Sequence, residues 1–259
     1  TKPVGTNNHV RGGRSSVITF ESVSKQYGSA PAVDSFSLEV PSHACVALVG
    51  SSGCGKTTLL KMVNRMVTPS SGRVLIDEVD VAQQDPISLR RSIGYVMQSG
   101  GLLPHLTVEA NINTIPRLLG APASSDRIHH LMESLELDPA LGRKYPYQLS
   151  GGQAQRVGVA RALIFDPNIL LMDEPFAAVD PIVRHGLQEM VAQLQRDFHK
   201  TIILVTHDFS EACFLGDTVA VLSVRAHIEQ HATPREILTH PATPFVEKFI
   251  QATRPLKVD

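Results

Sequence analysis

The run Gly50-Ser51-Ser52-Gly53-Cys54-Gly55-Lys56-Thr57-Thr58 constrains this chain more than any other stretch. The apolar residues 45–49 precede it and read as a buried strand, and residues 58–63 continue with a helix-compatible pattern. Strand, glycine-rich turn and helix together predict a phosphate-binding loop. Its glycines let backbone N–H groups point inward and cradle a β-phosphate. Lys56 adds a point charge for the β- and γ-phosphates. The Thr57 hydroxyl can ligate Mg²⁺, and the helix dipole favours an anion. A structural strand–helix turn can also be rich in glycine, but here spacing, lysine and flanking elements agree. The expected ligand is a nucleoside triphosphate.

Composition narrows the setting. The chain has 259 residues, enough for one large domain or two small ones, and a formal net charge of −1, which gives no sign of a nucleic-acid partner. No apolar run approaches the length of a transmembrane helix. Residues 1–16 are polar, have no apolar centre and read as a flexible tail. The three cysteines, Cys45, Cys54 and Cys213, lack paired or metal-like spacing and fit thiols in a reducing cytoplasm. His129 and His130 are adjacent, so on a helix they diverge and do not form a metal site.

Short strands are expected over 17–20 and 36–40, on either side of a loop carrying Tyr27-Gly28, and again over 73–76 and 93–96. From about 105 to 165 the spacing becomes helical, as in Ile128, Leu131, Met132 and Leu135, and predicts a helical insertion. Buried strands resume at 169–172 and 201–205, with a helix between them over about 182–198 and a small helix near 234–238. Apolar strands alternating with helices imply a parallel sheet covered on both faces.

Two further constellations carry chemistry. The strand over 169–172 ends in Asp173-Glu174, where α/β sheets present ligand groups. Asp173 is placed to hold Mg²⁺, and Glu174 could polarise an attacking water. Alone, two acids at a strand end would read as solvated carboxylates; beside a phosphate loop they read as functional. Leu149-Ser150-Gly151-Gly152-Gln153 then leads into a helix whose exposed backbone donors make a second anion site. A serine cap after a loop would account for that segment taken alone.

Together these residues resemble the nucleotide-binding subunit of ATP-binding cassette (ABC) transporters, over about Val17 to Ile250. The signature Leu149-Ser-Gly-Gly-Gln153 is specific when paired with the phosphate loop. The resemblance implies an α/β fold: a P-loop NTPase core with a parallel sheet flanked by helices, an N-terminal antiparallel β subdomain and an inserted helical subdomain. It implies an ATPase that uses ATP and Mg²⁺. Tyr27 would stack on adenine, and Gln98 would sense Mg²⁺ and the γ-phosphate. Asp180 would cross a dimer interface, and His207 would contact the γ-phosphate. Ser150, Gly151, Gly152 and Gln153 would close over the ATP held by Lys56 of a second subunit, giving a head-to-tail, ATP-dependent homodimer with two sites.

Glu78 and Arg225-Ala226-His227 stand where turn glycines are common in the family; both are far in sequence from the chemistry, so only local turn geometry is expected to change. Residues 62–66, 81–85 with 89–91, and 98–105 are similar to importers of quaternary amines: glycine betaine, choline, carnitine or proline betaine. That kinship implies membrane-spanning permease subunits, a solute-binding protein reached through the permease, and a peripheral position on the cytoplasmic face of the membrane. Other readings are an importer of another small solute such as an amino acid, a soluble ABC ATPase acting in DNA repair or on the ribosome, or a non-catalytic regulatory module. Many quaternary-amine members carry C-terminal cystathionine-β-synthase (CBS) modules; residues 251–259 read as a short tail without them, compatible with a short member or a piece of a longer chain. The segment Gly100-Gly101-Leu102-Leu103-Pro104-His105 is expected to dock on the permease, with Leu102 and Leu103 set among flexible glycines.

Overall fold

The computed structural model describes residues 18–98, 100–177 and 179–253. The expected N-terminal tail and residues 254–259 lie outside them.

The chain opens with a hairpin, β1 (Ile18–Tyr27) and β2 (Ala30–Val40), then β3 (Cys45–Gly50) and α1 (Lys56–Val63). Next come β4 (Ser71–Ile76), β5 (Val79–Asp80), α2 (Pro86–Ser92) and β6 (Ile93–Val96). α3 (Val108–Ile112), α4 (Thr114–Leu118), α5 (Ser125–Ser134) and α6 (Gly151–Leu163) precede β7 (Ile169–Asp173). α7 (Pro181–Phe198), β8 (Thr201–Thr206), α8 (Phe209–Leu215), β9 (Thr218–Leu222), β10 (Ile228–Ala232), α9 (Pro234–Thr239) and α10 (Pro244–Thr253) complete the chain.

The strands form two sheets. A six-stranded sheet has the order β10-β9-β3-β8-β7-β6, parallel except where β10 runs against β9. Its central strands β3, β7 and β8 are buried at every position and mostly apolar, because both faces are covered. On β3, Cys45, Ala47 and Val49 belong to one core with α3, α5, α6, α7, α8 and α10. Val46 and Leu48 belong to a second core with α1, α2 and the other sheet. Each fully buried Leu or Val contributes about 1.5–3 kcal/mol relative to exposure.

The second sheet, β2-β1-β4-β5, is antiparallel. It is not confined to the N-terminus: β4 and β5 join it after the phosphate loop and α1 have been laid down. Tyr27 is also not in a loop. It ends β1 and pairs with Ala30 across a two-residue turn in which Gly28 has φ 60°. The helical insertion falls between β6 and β7, as expected.

The tail expected at 251–259 begins with helix. Residues 251–253 are the last turn of α10, which is amphipathic, with Val246 and Ile250 buried and Phe245 and Phe249 packed on the core. Apolar residues at these intervals make one helix face.

Candidate active site

Four strands of the parallel sheet deliver the predicted residues to one edge. Gly50 ends β3, Asp173 ends β7, His207 follows Thr206 of β8, and Gln98 lies two residues beyond β6. This is the carboxyl edge, where open α/β sheets bind ligands.

The phosphate loop is shaped by close approaches. A Cβ on Gly50 would lie 2.4 Å from the carbonyl oxygen of Leu222 on β9. Gly55 has φ 112° and caps α1 without a side chain, leaving the first N–H groups of the helix for a ligand. Lys56 is 4 % exposed. Its Nζ donates to the carbonyls of Gly50 and Ser51 at 2.7 and 2.9 Å. Among the described residues it has no carboxylate within ion-pair reach. A buried ammonium without a counter-charge is costly, and an anion in the loop would relieve that cost. A cleft of about 180 Å³ lies here, lined by Ala32, Ser52, Gly53, Thr57, Thr58 and Glu174 among others.

Thr57 Oγ1 donates to Asp173 Oδ1 at 2.8 Å. A hydroxyl and a carboxylate side by side suit Mg²⁺, which takes oxygen ligands and few of them from protein. Tyr95 was not picked out from sequence. Its hydroxyl donates to Asp173 Oδ2 at 3.3 Å, and burial, then the Asp173 charge, pushes its pKa up. Only the β6–β7 pairing reveals this contact, so no local signal marks it.

Glu174 sits in the left-handed region, φ 44°, and its N–H donates to Val205 O at 2.9 Å. Gln98 Nε2 donates to Glu174 Oε2 at 3.3 Å, and His207 Nδ1 meets the same oxygen at 3.2 Å. Oε1 has no hydrogen-bond partner among the described residues and is free to accept from water. Gln98 therefore stands against Glu174 and not against the Thr57–Asp173 pair.

Other candidates stand apart. The Tyr27 ring is exposed, 5.3 Å from Lys25 Nζ, and does not line the cleft. Ser150 is exposed at the start of α6, and Gly151, Gly152 and Gln153 form its first turn. None of these four lines the cleft or bonds to the phosphate loop. Asp180 is exposed just before α7.

Two expectations need correction. The turn at Arg225-Ala226 is remote in sequence but not in space: Ala226 N–H donates to Cys54 O at 2.6 Å, inside the phosphate loop. Arg225 and Ala226 adopt φ 62° and 60°, in the left-handed region that favours glycine. Glycines 100 and 101 are not loose. Arg161 of α6 donates to both of their carbonyls, at 2.9 and 2.6 Å, and Gln155 Nε2 donates to Met97 O at 3.2 Å. A Cβ on Gly158 would come 3.1 Å from Gly100 O, so α6 lies hard against this loop. Asn111 bonds both the N–H and the carbonyl of Leu103.

Loop, buried cation and strand-end acids on a parallel sheet define a phosphate-loop nucleotide-binding protein. Comparison with known proteins is more specific. A family profile described as ABC transporter matches residues 33–177. The chain is 47 % identical over 241 residues to the glycine betaine/carnitine/choline transport ATP-binding protein OpuCA of Bacillus subtilis (strain 168), covering 92 % of this chain and 63 % of that one. It is 44 % identical over 235 residues to the glycine betaine uptake system ATP-binding protein YehX of Escherichia coli (strain K12), covering 90 % and 76 %. The solved dimeric structure of MJ0796, a bacterial ABC transporter cassette, superposes with a TM-score of 0.76 at 31 % identity, covering 84 % of this chain and 99 % of that one. The chain belongs to the ABC transporter family. It spans less than two thirds of the length of several curated relatives it matches.

Proposed function

We propose that this chain is the ATP-hydrolysing subunit of an importer for a quaternary-amine osmoprotectant such as glycine betaine, choline, carnitine or proline betaine. The observation that carries the ATPase reading is the buried, uncompensated Lys56 beside the Thr57–Asp173 pair and Glu174. The solute class rests on relatives whose names specify glycine betaine, carnitine and choline transport.

In this reading Gly50 to Thr58 bind the triphosphate, and Thr57 and Asp173 hold Mg²⁺. When bound, Mg²⁺ neutralises charge developing on the phosphates. Glu174 orients a water with Oε1, while His207 and Gln98 fix the carboxylate through Oε2. Gln98 reports on the metal site from its place beside Glu174. Tyr27 stacks on adenine. Ser150 to Gln153 and Asp180 complete the site of a second copy in a head-to-tail dimer. The cassette spans 17–250, its helical subdomain 105–165.

No described helix is long and apolar enough to cross a membrane. In the proposed reading, which rests on the transport relatives, the protein acts at the cytoplasmic face, on permease subunits fed by a solute-binding protein. Leu103 is 37 % exposed on a loop braced by Arg161 and Asn111, a firm apolar contact for that permease.

Uptake of labelled betaine, choline, carnitine and proline betaine in cells with and without the gene tests the solute class. Loss of uptake of at least one is expected; unchanged uptake of all four overturns it. Leu103→Asp should keep the ATPase activity of the purified subunit and abolish uptake, and normal uptake would remove the docking role.

A further inference from the structure

A buried carboxylate lies behind the catalytic edge and takes no part in the chemistry above. Glu211 of α8 is 5 % exposed. Thr206 Oγ1 donates to its Oε2 at 2.6 Å and accepts the Asp208 N–H at 3.0 Å, so one hydroxyl brackets His207 from both sides. The other oxygen, Oε1, accepts from Gln188 Nε2 at 3.2 Å and faces Arg184 Nε at 4.0 Å. Gln188 and Arg184 both belong to α7, which begins right after Asp180. Arg184 Nη2 donates to Val179 O at 3.3 Å, and its backbone N–H donates to Asp180 O at 2.8 Å. Arg184 Nε is itself buried without a hydrogen-bond partner among the described residues, within ion-pair reach of Glu211 but not bonded.

Burial pushes the Glu211 carboxyl up from its ordinary value; the Thr206 bond opposes this, Asp208 adds to it, and Arg184 opposes it. An apolar side chain of similar size would fill this space at lower cost than a buried acid. What the acid adds is directional bonding to the end of β8, just before His207, and to α7, just after Asp180, at once.

We propose that Glu211 is a positioning residue that locks the backbone presenting His207 to the helix start presenting Asp180, so that the two loops move as one unit. The inference rests on the reading of His207 and Asp180 as site residues given above. In Glu211→Gln the amide keeps the shape. If its carbonyl meets Thr206, its NH₂ faces Arg184, which can only donate, and the bond to Gln188 survives only if that amide turns its oxygen inward.

The test is steady-state ATP hydrolysis by the purified subunit with Mg²⁺, together with its thermal midpoint. Glu211→Gln should lower kcat at least about 10-fold and leave KM for ATP within about threefold, as expected of a group that acts through the catalytic ones. Arg184→Met should lower kcat too, and the double variant should lose no more than the worse single one, because both cut one connection. Arg184→Met should also move the imidazole resonance of His207, assigned by its loss in His207→Gln; a merely structural role at the start of α7 would leave it in place. Wild-type kcat in a folded Glu211→Gln or Arg184→Met, additive losses, or an unmoved His207 resonance would each overturn the proposal. If Glu211→Gln fails to fold, Arg184→Met and Glu211→Asp decide by the same criteria. A wild-type subunit without ATPase activity would instead overturn the functional reading beneath it.

Discussion

Two helices of this protein have glycines at their N-terminal ends and treat the same unsatisfied N–H groups in opposite ways. α1 starts behind Gly55, with no side chain on its N-terminal donors and a buried lysine as its first residue. α6 starts behind Ser150, whose Oγ accepts the Gln153 N–H at 3.2 Å while Gln153 Oε1 accepts the Ser150 N–H at 3.0 Å. The first end is left open and positively charged, ready for an anion from solution. The second closes on itself through a capping box. A serine hydroxyl that accepts in a cap still has a proton to donate, so in the proposed dimer Ser150 would hold its own helix and donate to a phosphate on the second copy. The contrast teaches that glycine at a helix start does not by itself make an anion site. What occupies the first-turn donors decides whether the end binds alone or awaits a partner.

The comparison is tested most strongly at the acid facing the open end. Glu174→Gln keeps the shape of the side chain and loses its charge, so turnover should fall by about 10²–10⁴. ATP binding should persist, and the variant should elute as a dimer with ATP–Mg²⁺ and as a monomer with ADP. A normal hydrolysis rate rules out the assigned role, and an ATP-loaded monomer breaks the two-ended site.

Lys56→Ala should weaken ATP binding by about 1.5–3 kcal/mol, the contribution of a charge-assisted contact. Calorimetry on the purified variant measures it; unchanged affinity would mean that the open helix end suffices without its cation. Adding Ser150→Arg to Glu174→Gln should abolish the ATP-dependent dimer while each monomer still binds ATP, because a long cation replaces the short hydroxyl at the opposing loop. A persisting dimer would show that α6 does not meet the partner's nucleotide. The smallest effect belongs to the closed end itself. Gln153→Ala removes one side of the capping box and should lower stability by about 0.3–1.5 kcal/mol, seen as a drop of a few degrees in Tm. No change in Tm would mean that the reciprocal bond contributes nothing to α6.

The parts legible in the sequence are those whose physics is local. The glycines, lysine and threonine of residues 50–58 need only a strand before them and a helix after them. The cap at Ser150 needs only Gln153 three residues on, and the apolar runs of β3, β7 and β8 announce strands buried on both faces. The C-terminal helix was missed because its apolar residues, Phe245, Val246, Phe249 and Ile250, follow a Pro- and Thr-rich stretch that reads as the approach to a tail. Tyr95 and Glu211 carried no signal, and Ala226 was marked only as a departure in a turn, since each acts on residues more than one element away or on a backbone whose path is set by the fold.

The sequence by itself determined which chemical groups this protein owns and the local shapes that present them, because hydrogen bonding within a turn or a helix cap is fixed by neighbours a few residues apart. Tertiary structure alone decided which groups meet. The order β3-β8-β7-β6 carries Thr57 to Asp173 across 116 residues and His207 to Glu174 across 33. The same packing sets the Ala226 turn on the phosphate loop and presses α6 onto Gly100. Those meetings depend on strand order and on the packing of two sheets and their helices. Both arise from the burial of apolar surface over the whole chain, a cooperative property that no short window of sequence contains.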